Sequence, residues 1–270
     1  MVEYKALEIA YRAQPLQIEY FFRSGHKGTV LYLEGLGCSK EDFVGAASID
    51  ELQPHSLVAL DFPGCGHSLY PDDATFGMDD LVEITNIVVS ELGLEDFVII
   101  GHSMGGLVGL LYAEKYVEHV KGFIDVEGNL ASEDCFFSRR IAIRGPLGFT
   151  REALDRLQDG LAQSRSRGLQ EFAKALLSAS EKALVAYASS LVDYSDNGNL
   201  IPRFTGLRIP RMFLYGSENR GLSYIPRLRD SDCEALEIPD SGHFPFYDNP
   251  QAYYQVICNF LDSVFSDGGG

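Results

Sequence analysis

The 270-residue sequence lacks tryptophan, is poor in cysteine and in basic residues, and contains no long apolar run. Its five cysteines are an odd number, and their spacing matches neither a disulfide framework nor a metal site. They are typical of reduced thiols, so we expect a cytoplasmic protein that holds no metal. Because no apolar run approaches the length of a membrane-spanning helix, we expect no membrane partner.

The charges of the chain are strongly unbalanced. The sequence has 22 lysines and arginines against 39 acidic residues, which gives a net charge of −17. Such a balance argues against nucleic acid or an anionic membrane as a partner, although it says little about a substrate. The first 20 residues carry five charged side chains among the apolar ones, so we predict that they are not a secretory signal.

The most informative stretch is Gly101-His102-Ser103-Met104-Gly105, a G-x-S-x-G sequence. It lies between a short apolar run, 97–100, and an apolar helical pattern from residue 107 to about 116. A strand, a sharp turn and a helix are the setting in which this motif presents a nucleophilic serine, here Ser103. Small neighbours permit the strained turn, and the Met104 amide would lie at a helix N-terminus facing an oxyanion. The alternative is an ordinary strand–helix turn that contains glycines.

Strand and helix patterns alternate along most of the chain. Residues 8–22 alternate loosely around a turn at Gln14-Pro15, which predicts an antiparallel hairpin at one sheet edge. Buried strands are predicted at 29–33 and 57–60, and an amphipathic helix is predicted over 78–92. Short loops between such elements predict an α/β fold: a mostly parallel, twisted sheet of about eight strands with helices on both faces.

Three motifs together resemble those of the α/β-hydrolase family. Beside the serine motif, residues 61–68 match the fixed positions of the family's D-x-P-G-x-G-x-S loop, and residues 242–245 match its Gly-His-x-Pro sequence. The resemblance implies the family's fold and a catalytic triad in the order serine, acid, histidine. It assigns the role of general base to His243, and it assigns the second oxyanion-hole amide, beside that of Met104, to Leu36.

The acid of the triad departs from the family's usual pattern. Most members carry an aspartate in a G-x-x-D sequence after strand seven, but residues 216–219 read Gly-Ser-Glu-Asn. Asn219 cannot balance the charge of an imidazolium. A subset of the family, including many haloalkane dehalogenases, uses a glutamate after strand six instead. Because Val120-Lys121-Gly122 and Glu127 fit that pattern, Glu127 is the predicted acid.

Other assignments of the acid remain open at this point. Glu218 is the main alternative, although it stands one residue early, so its side chain would point elsewhere unless the loop is rebuilt. Asp125 could also serve, or the triad could lack an acid. Glu127 could instead pair with an arginine of the following segment, such as Arg139 or Arg140.

A helix-rich segment separates strands six and seven, with helices predicted at 132–141, 150–161 and 169–191. The chain is therefore predicted to contain an α/β-hydrolase core of residues 1–128 and 206–270 and a helical cap of residues 129–205. The resemblance implies that the cap closes over the nucleophile and excludes water. Without tryptophan, the cap cannot carry the tryptophan halide donors of the dehalogenases. The final glycines, 268–270, are predicted to be disordered.

Three aromatic residues of the cap and one acid of the core bear on substrate binding. Phe136, Phe137 and Phe149 are candidates for the lining of a substrate pocket; alternatively, they pack the cap against the core. Glu34 occupies the position where the family usually has histidine, next to the oxyanion loop. A carboxylate there would oppose catalysis unless it points away or is paired, so we expect a buried structural acid bonded to loop amides.

The type of nucleophile determines the predicted chemistry. Dehalogenases and epoxide hydrolases of this fold use an aspartate where this chain has Ser103, whereas a serine forms an acyl-enzyme. We therefore predict a serine hydrolase, without a cofactor, that cleaves an ester, thioester or related acyl bond of a small-molecule acyl substrate. C–C bond hydrolysis, acyl transfer, a ligand receptor that retains the triad and a scaffold with an inactive site remain alternatives.

Overall fold

Eight strands form one sheet in residues 1–266, the part of the chain that the computed structural model describes. The strands are β1 (Glu3–Tyr11), β2 (Gln14–Arg23), β3 (Thr29–Leu33), β4 (Ser56–Leu60), β5 (Phe97–His102), β6 (Val120–Val126), β7 (Arg211–Gly216) and β8 (Glu234–Ile238). Their order is β1-β2-β4-β3-β5-β6-β7-β8, antiparallel from β1 to β4 and parallel from there on. The predicted mostly parallel, eight-stranded sheet is confirmed. Residues 267–270, which include the glycines predicted to be disordered, and the side chains of Pro146 and Leu147 lie outside the description.

Ten α-helices accompany the sheet within residues 1–266. They are α1 (Met78–Glu91), α2 (Met104–Lys115), α3 (Ser138–Gly148), α4 (Arg151–Ala162), α5 (Arg167–Ala175), α6 (Glu181–Asn197), α7 (Leu200–Gly206), α8 (Ile225–Arg229), α9 (Pro245–Asp248) and α10 (Pro250–Phe265). Helices cover both faces, because neighbouring residues of β6 contact different helices: Phe123 lies against Gly109 of α2, and Gly122 lies against Phe260 of α10. No helix among these is long and apolar enough to cross a membrane.

The hairpin at the sheet edge turns earlier than predicted. Arg12 and Ala13 have φ angles of +49° and +61°, the left-handed pair that a two-residue hairpin turn requires. Gln14 and Pro15 therefore begin β2 instead of forming the turn. Proline is tolerated at this position because it lies at the start of a strand.

The helices α3–α7 lie between β6 and β7, where the cap is predicted, and are called the cap below. The first predicted cap helix, 132–141, is replaced by a short 3₁₀ turn at Ser132–Asp134 and by α3. The predicted long helix over 169–191 is divided into α5 and α6. The division arises because Ser180 caps α6 by accepting a hydrogen bond from the Ala183 amide.

Parallel strands bring the predicted site residues to one edge of the sheet. β3, β5, β6, β7 and β8 all run in the same direction, so the loops at their carboxyl ends lie side by side. Those loops carry Leu36, Ser103, Glu127, Asn219 and His243. This edge is where open α/β sheets bind their ligands.

We expect Gly105→Ala to destabilise the protein by about 1–3 kcal/mol, because a β-carbon there has no space. It would lie 2.2 Å from the Leu33 carbonyl oxygen. Gly160→Ala in α4 is the matched control: no atom beyond its own helix lies within 4 Å, so we expect a gain of about 0.5–1 kcal/mol. Urea unfolding measures both changes. A Gly105→Ala protein as stable as the parent would contradict the close approach of this turn to β3.

Candidate active site

Ser103 occupies the sharp turn between β5 and α2. Its φ and ψ angles are +53° and −118°, an unfavourable conformation for a residue with a β-carbon. The turn is held by a 2.9 Å hydrogen bond from the Ser103 amide to the Val126 carbonyl and by close contact between turn glycines. A β-carbon on Gly101 would lie 2.3 Å from the Gly105 oxygen, so no larger residue fits. The turn presents the Ser103 side chain to a cavity beneath the cap.

Glu127 lies within hydrogen-bonding distance of the His243 ring. Its Oε2 is 3.2 Å from Nδ1 of His243, and its side chain is almost fully buried. The Gly216 amide donates to Oε1 at 2.5 Å, and the Asn219 side-chain amide donates to Oε2 at 2.7 Å. Burying a carboxylate is unfavourable unless hydrogen bonds replace its water, and three nitrogen atoms do so here.

Asn219 therefore contributes to the site in a way that the sequence analysis missed. It stands where most family members carry the acid of the triad, and the sequence analysis predicted only that this position lacks an acid. In the structure, its Nδ2 donates to the glutamate that follows the neighbouring strand β6. An aspartate at this position would place a second negative charge against Glu127, so the amide and the displaced acid fit together.

The alternative acids lie in other environments. Glu218 is exposed, and among the described residues its carboxylate makes no hydrogen bond to the imidazole. Asp125 is fully buried, and burial raises the pKa of its carboxyl well above the usual range. The proposed arginine partner of Glu127 is engaged elsewhere, since Arg139 forms a 2.6 Å ion pair with Asp196.

Ser103 and His243 line the same cavity. Among the described residues, the Ser103 hydroxyl makes no hydrogen bond to the imidazole. In unliganded enzymes this hydrogen bond is often long and tightens only when substrate is bound. The Phe136 ring covers the imidazole edge-on, with ring centres 5.4 Å apart.

The two amides predicted to form the oxyanion hole follow β3 and β5 at the same edge of the sheet. Leu36 lines the cavity, and the next residue, Gly37, has a φ of +74°, which favours glycine. Met104 is the first residue of α2, so its amide lies at the positive end of the helix dipole. Within residues 1–266, neither amide donates to another backbone group. Both donors therefore remain available to a substrate oxygen.

Glu34 does not place a negative charge beside these amides. It is fully buried, and its Oε1 accepts a 2.6 Å hydrogen bond from the Phe62 amide. Burial and the nearby Asp61 raise the pKa of the Glu34 carboxyl well above the usual range. Asp61 itself is paired with Lys40 at 2.6 Å. The raised pKa favours the uncharged form of Glu34, and its hydrogen bond to the Phe62 amide joins the loops that follow β3 and β4.

His102 is a positioning residue that the sequence analysis did not single out. Its Nε2 lies 2.9 Å from the backbone oxygen of His243, so Nε2 must carry the proton. Burial lowers the pKa of His102 well below the usual range, which keeps the ring neutral. The two imidazole rings are 4.9 Å apart. Only its place inside the serine motif could have drawn attention to it.

Asp248 joins the cap to the loop that carries His243. Its Oδ2 accepts a 3.1 Å hydrogen bond from the amide of Gly242, directly before His243. Its Oδ1 accepts hydrogen bonds from the Ser166 hydroxyl at 3.1 Å and from the Gly168 amide at 3.0 Å, both at the start of α5. One carboxylate thus fixes the first turn of α5 relative to the loop that carries His243.

The cavity beneath the cap has a volume of about 250 Å³. Its walls are mostly apolar side chains of the cap: Phe136, Phe137, Leu161, Leu169, Phe172 and Leu191. Phe149 is not among them, because α3 is interrupted at Gly145 and Phe149 lies in a second groove between α3 and α4. Two acids line the cavity, Asp134 and Glu218, and burial raises the pKa of Asp134 to about 7. No set of three or more His, Cys, Asp or Glu side chains in the described residues is arranged to hold a metal ion.

Comparison with known proteins establishes the family. Residues 30–256 match the model of the alpha/beta hydrolase family, and the chain belongs to that family. It is 26% identical, over 78% of its length and 85% of the relative, to a pimeloyl-[acyl-carrier protein] methyl ester esterase of Yersinia enterocolitica. It is 23% identical to putative esterase/lipase 2 of Mycoplasma pneumoniae, over 94% of this chain and 96% of the relative. The predicted α/β-hydrolase membership is confirmed, and the protein is a hydrolytic enzyme.

A solved structure agrees with the fold over almost the whole chain. The thermophilic esterase of Thermogutta terrifontis superposes with a TM-score of 0.79 and is 22% identical. The alignment covers 97% of this chain and 99% of that one. At this identity, the likeness establishes the fold alone.

We expect Glu127→Gln to lower kcat for a p-nitrophenyl ester by about 10³–10⁴-fold, because an amide can neither fix the histidine tautomer nor balance the imidazolium. Glu218→Gln is the matched control, an equal change one strand away, and should leave kcat nearly unchanged. Steady-state kinetics of both variants, with unfolding curves to confirm the fold, measure the contrast. The opposite ranking of the two variants would transfer the role of the acid to Glu218.

Proposed function

We propose that this protein hydrolyses a small carboxylic ester, thioester or related acyl bond through a Ser103 acyl-enzyme. The observation that carries the proposal is the 3.2 Å contact between Glu127 Oε2 and His243 Nδ1, in a cavity that Ser103 also lines. The names of the relatives support an ester as the bond cleaved, since both include the word esterase. Neither name transfers a particular substrate to this chain.

Each step of the proposed reaction uses a described group. Ser103 Oγ attacks the acyl carbon while His243 Nε2 takes its proton, and the charge on the ring is balanced by Glu127 at Nδ1. The Leu36 and Met104 amides hold the negative oxygen of the tetrahedral intermediate, each contributing on the order of 3 kcal/mol. The imidazolium then protonates the leaving oxygen or sulfur. Water repeats the sequence on the acyl-enzyme and releases the acid.

The cavity favours a small, uncharged acyl group. A volume of about 250 Å³ is below the range of drug-sized pockets, and its wall consists largely of phenylalanine and leucine. The two acidic side chains that line it are those of Asp134 and Glu218. An acyl group that carries its own carboxylate would therefore be repelled, whereas a short alkyl chain would be accepted.

We expect the parent enzyme to turn over p-nitrophenyl acetate and butyrate many times, and we expect Ser103→Ala to remove this activity. A fluorophosphonate probe should label the parent at Ser103 and leave the Ser103→Ala protein unlabelled, because the probe requires an activated hydroxyl. Stopped-flow absorbance and mass spectrometry of the labelled peptide measure the two results.

Three outcomes would contradict the proposal in different ways. A single burst of p-nitrophenol equal to the enzyme concentration, with no further turnover, would point to a ligand receptor that retains the triad. Failure of the probe to label Ser103 in the folded protein would indicate a site without nucleophilic activity. Transfer of the acyl group to an added alcohol in preference to water would favour an acyltransferase.

A further inference from the structure

We propose that the groove between α3 and α4 binds the phosphate of a phosphomonoester whose apolar chain extends toward the Ser103 cavity. The groove has a volume of about 440 Å³ and is lined by three arginines: Arg140, Arg144 and Arg156. Its apolar wall includes Phe137 and Leu161, which also line the Ser103 cavity. The two spaces are therefore neighbours separated by two shared side chains. The phosphate site itself does not rest on the proposed function. The direction of the ligand's apolar chain, toward the Ser103 cavity, does rest on it.

Two of the three arginines of the groove have no ion-pair partner within the described residues. No aspartate or glutamate lines it, although the chain has 39 acidic residues against 22 basic ones. Arg140 and Arg144 form no ion pair in that part of the chain, whereas the adjacent Arg139 is paired with Asp196. Arg156 is paired with Glu152 on its own helix.

The spacing of these arginines favours a doubly charged ligand. Arg140 and Arg144 are four residues apart on α3, so their charges lie on the same face and repel each other. A phosphomonoester carries close to two negative charges at neutral pH and several acceptor oxygens. Guanidinium groups bind such oxygens in pairs, which removes the repulsion and satisfies both side chains.

The Ser103 cavity and the groove between α3 and α4 differ in charge, so they would bind different ends of such a ligand. The Ser103 cavity is lined by Asp134 and Glu218, which disfavour an anion beside the nucleophile. The groove is lined by arginines, which favour an anion. Phe137 and Leu161 offer an apolar path between them. A phosphate on an apolar chain meets all three environments, whereas a free phosphate uses only the groove.

Isothermal titration calorimetry with monomeric octyl phosphate tests the site on the intact protein. We expect binding by the parent and a loss of affinity of about tenfold or more in R140Q/R144Q, because two charge-assisted contacts are removed. R165Q/R167Q is the matched control, since it removes two exposed arginines of the same cap that do not line the groove. It should bind octyl phosphate as the parent does.

A second variant tests the groove by shape instead of charge. Gly160 lines the groove, and a β-carbon there meets no atom beyond its own helix within 4 Å. We expect Gly160→Phe to weaken octyl phosphate by filling this space while every arginine remains. Thermal unfolding of each variant confirms that the cap is folded. Equal affinity in the parent, R140Q/R144Q and Gly160→Phe would overturn the proposal.

The choice of probes identifies which part of the ligand is recognised. Octyltrimethylammonium, of equal chain length and opposite charge, should bind far more weakly, and equal binding would overturn the proposal. Inorganic phosphate should bind more weakly than octyl phosphate, because it leaves the apolar path empty. Phosphatidylcholine vesicles that contain phosphatidic acid test whether the phosphate can come from a lipid headgroup. Binding of the protein to both octyl phosphate and these vesicles supports the proposed site. Binding to the vesicles without binding to octyl phosphate would overturn the proposal. The titrations need no turnover, so an inactive protein that binds octyl phosphate contradicts only the proposed function.

Discussion

The geometry of the site depends on the contact between the Glu127 carboxylate and the His243 ring. Glu127 is buried and has a φ of +53°, so both its charge and its backbone are unfavourable in isolation. The surrounding chain stabilises them: the Glu127 amide donates to the Leu214 carbonyl of β7, and Gly216 and Asn219 donate to its carboxylate. The acid is thus held by the strand next to its own.

This arrangement explains why part of the site could be predicted from the sequence. Ser103 could be identified because its turn is crowded and needs glycine at positions 101 and 105, which lie close to it in the sequence. Glu127 was predicted as the acid from its position along the chain. The role of Asn219 could not be found in that way, because it depends on β6 and β7 being parallel neighbours with a particular register. The sequence shows that residue 219 is not an acid, but it does not show that the Asn219 side chain donates to Glu127.

The cap was the least predictable part for the same reason. Its helical character follows from local patterns, but the interruption at Gly145, with a φ of +60°, changes where Phe149 lies. Helical periodicity describes one face of a continuous helix and fails once the helix is broken. The buried strands predicted at 29–33 and 57–60 were located within one residue, whereas β1 begins five residues before the predicted hairpin. The contacts of His102 and Asp248 could not be predicted, because they join residues far apart in sequence.

His243, the proposed general base, is fixed from two sides by two carboxylates. Glu127 holds ring atom Nδ1, and Asp248 holds the preceding amide while it also binds the first turn of α5. Moving α5 away would break two hydrogen bonds to a charged group, each worth about 1.5–3 kcal/mol. The Phe136 ring, by contrast, covers the imidazole through ring contact and is 61% exposed. The orientation of the imidazole, which leaves Nε2 free to approach Ser103, therefore depends on Glu127 and Asp248 more than on the contact with Phe136.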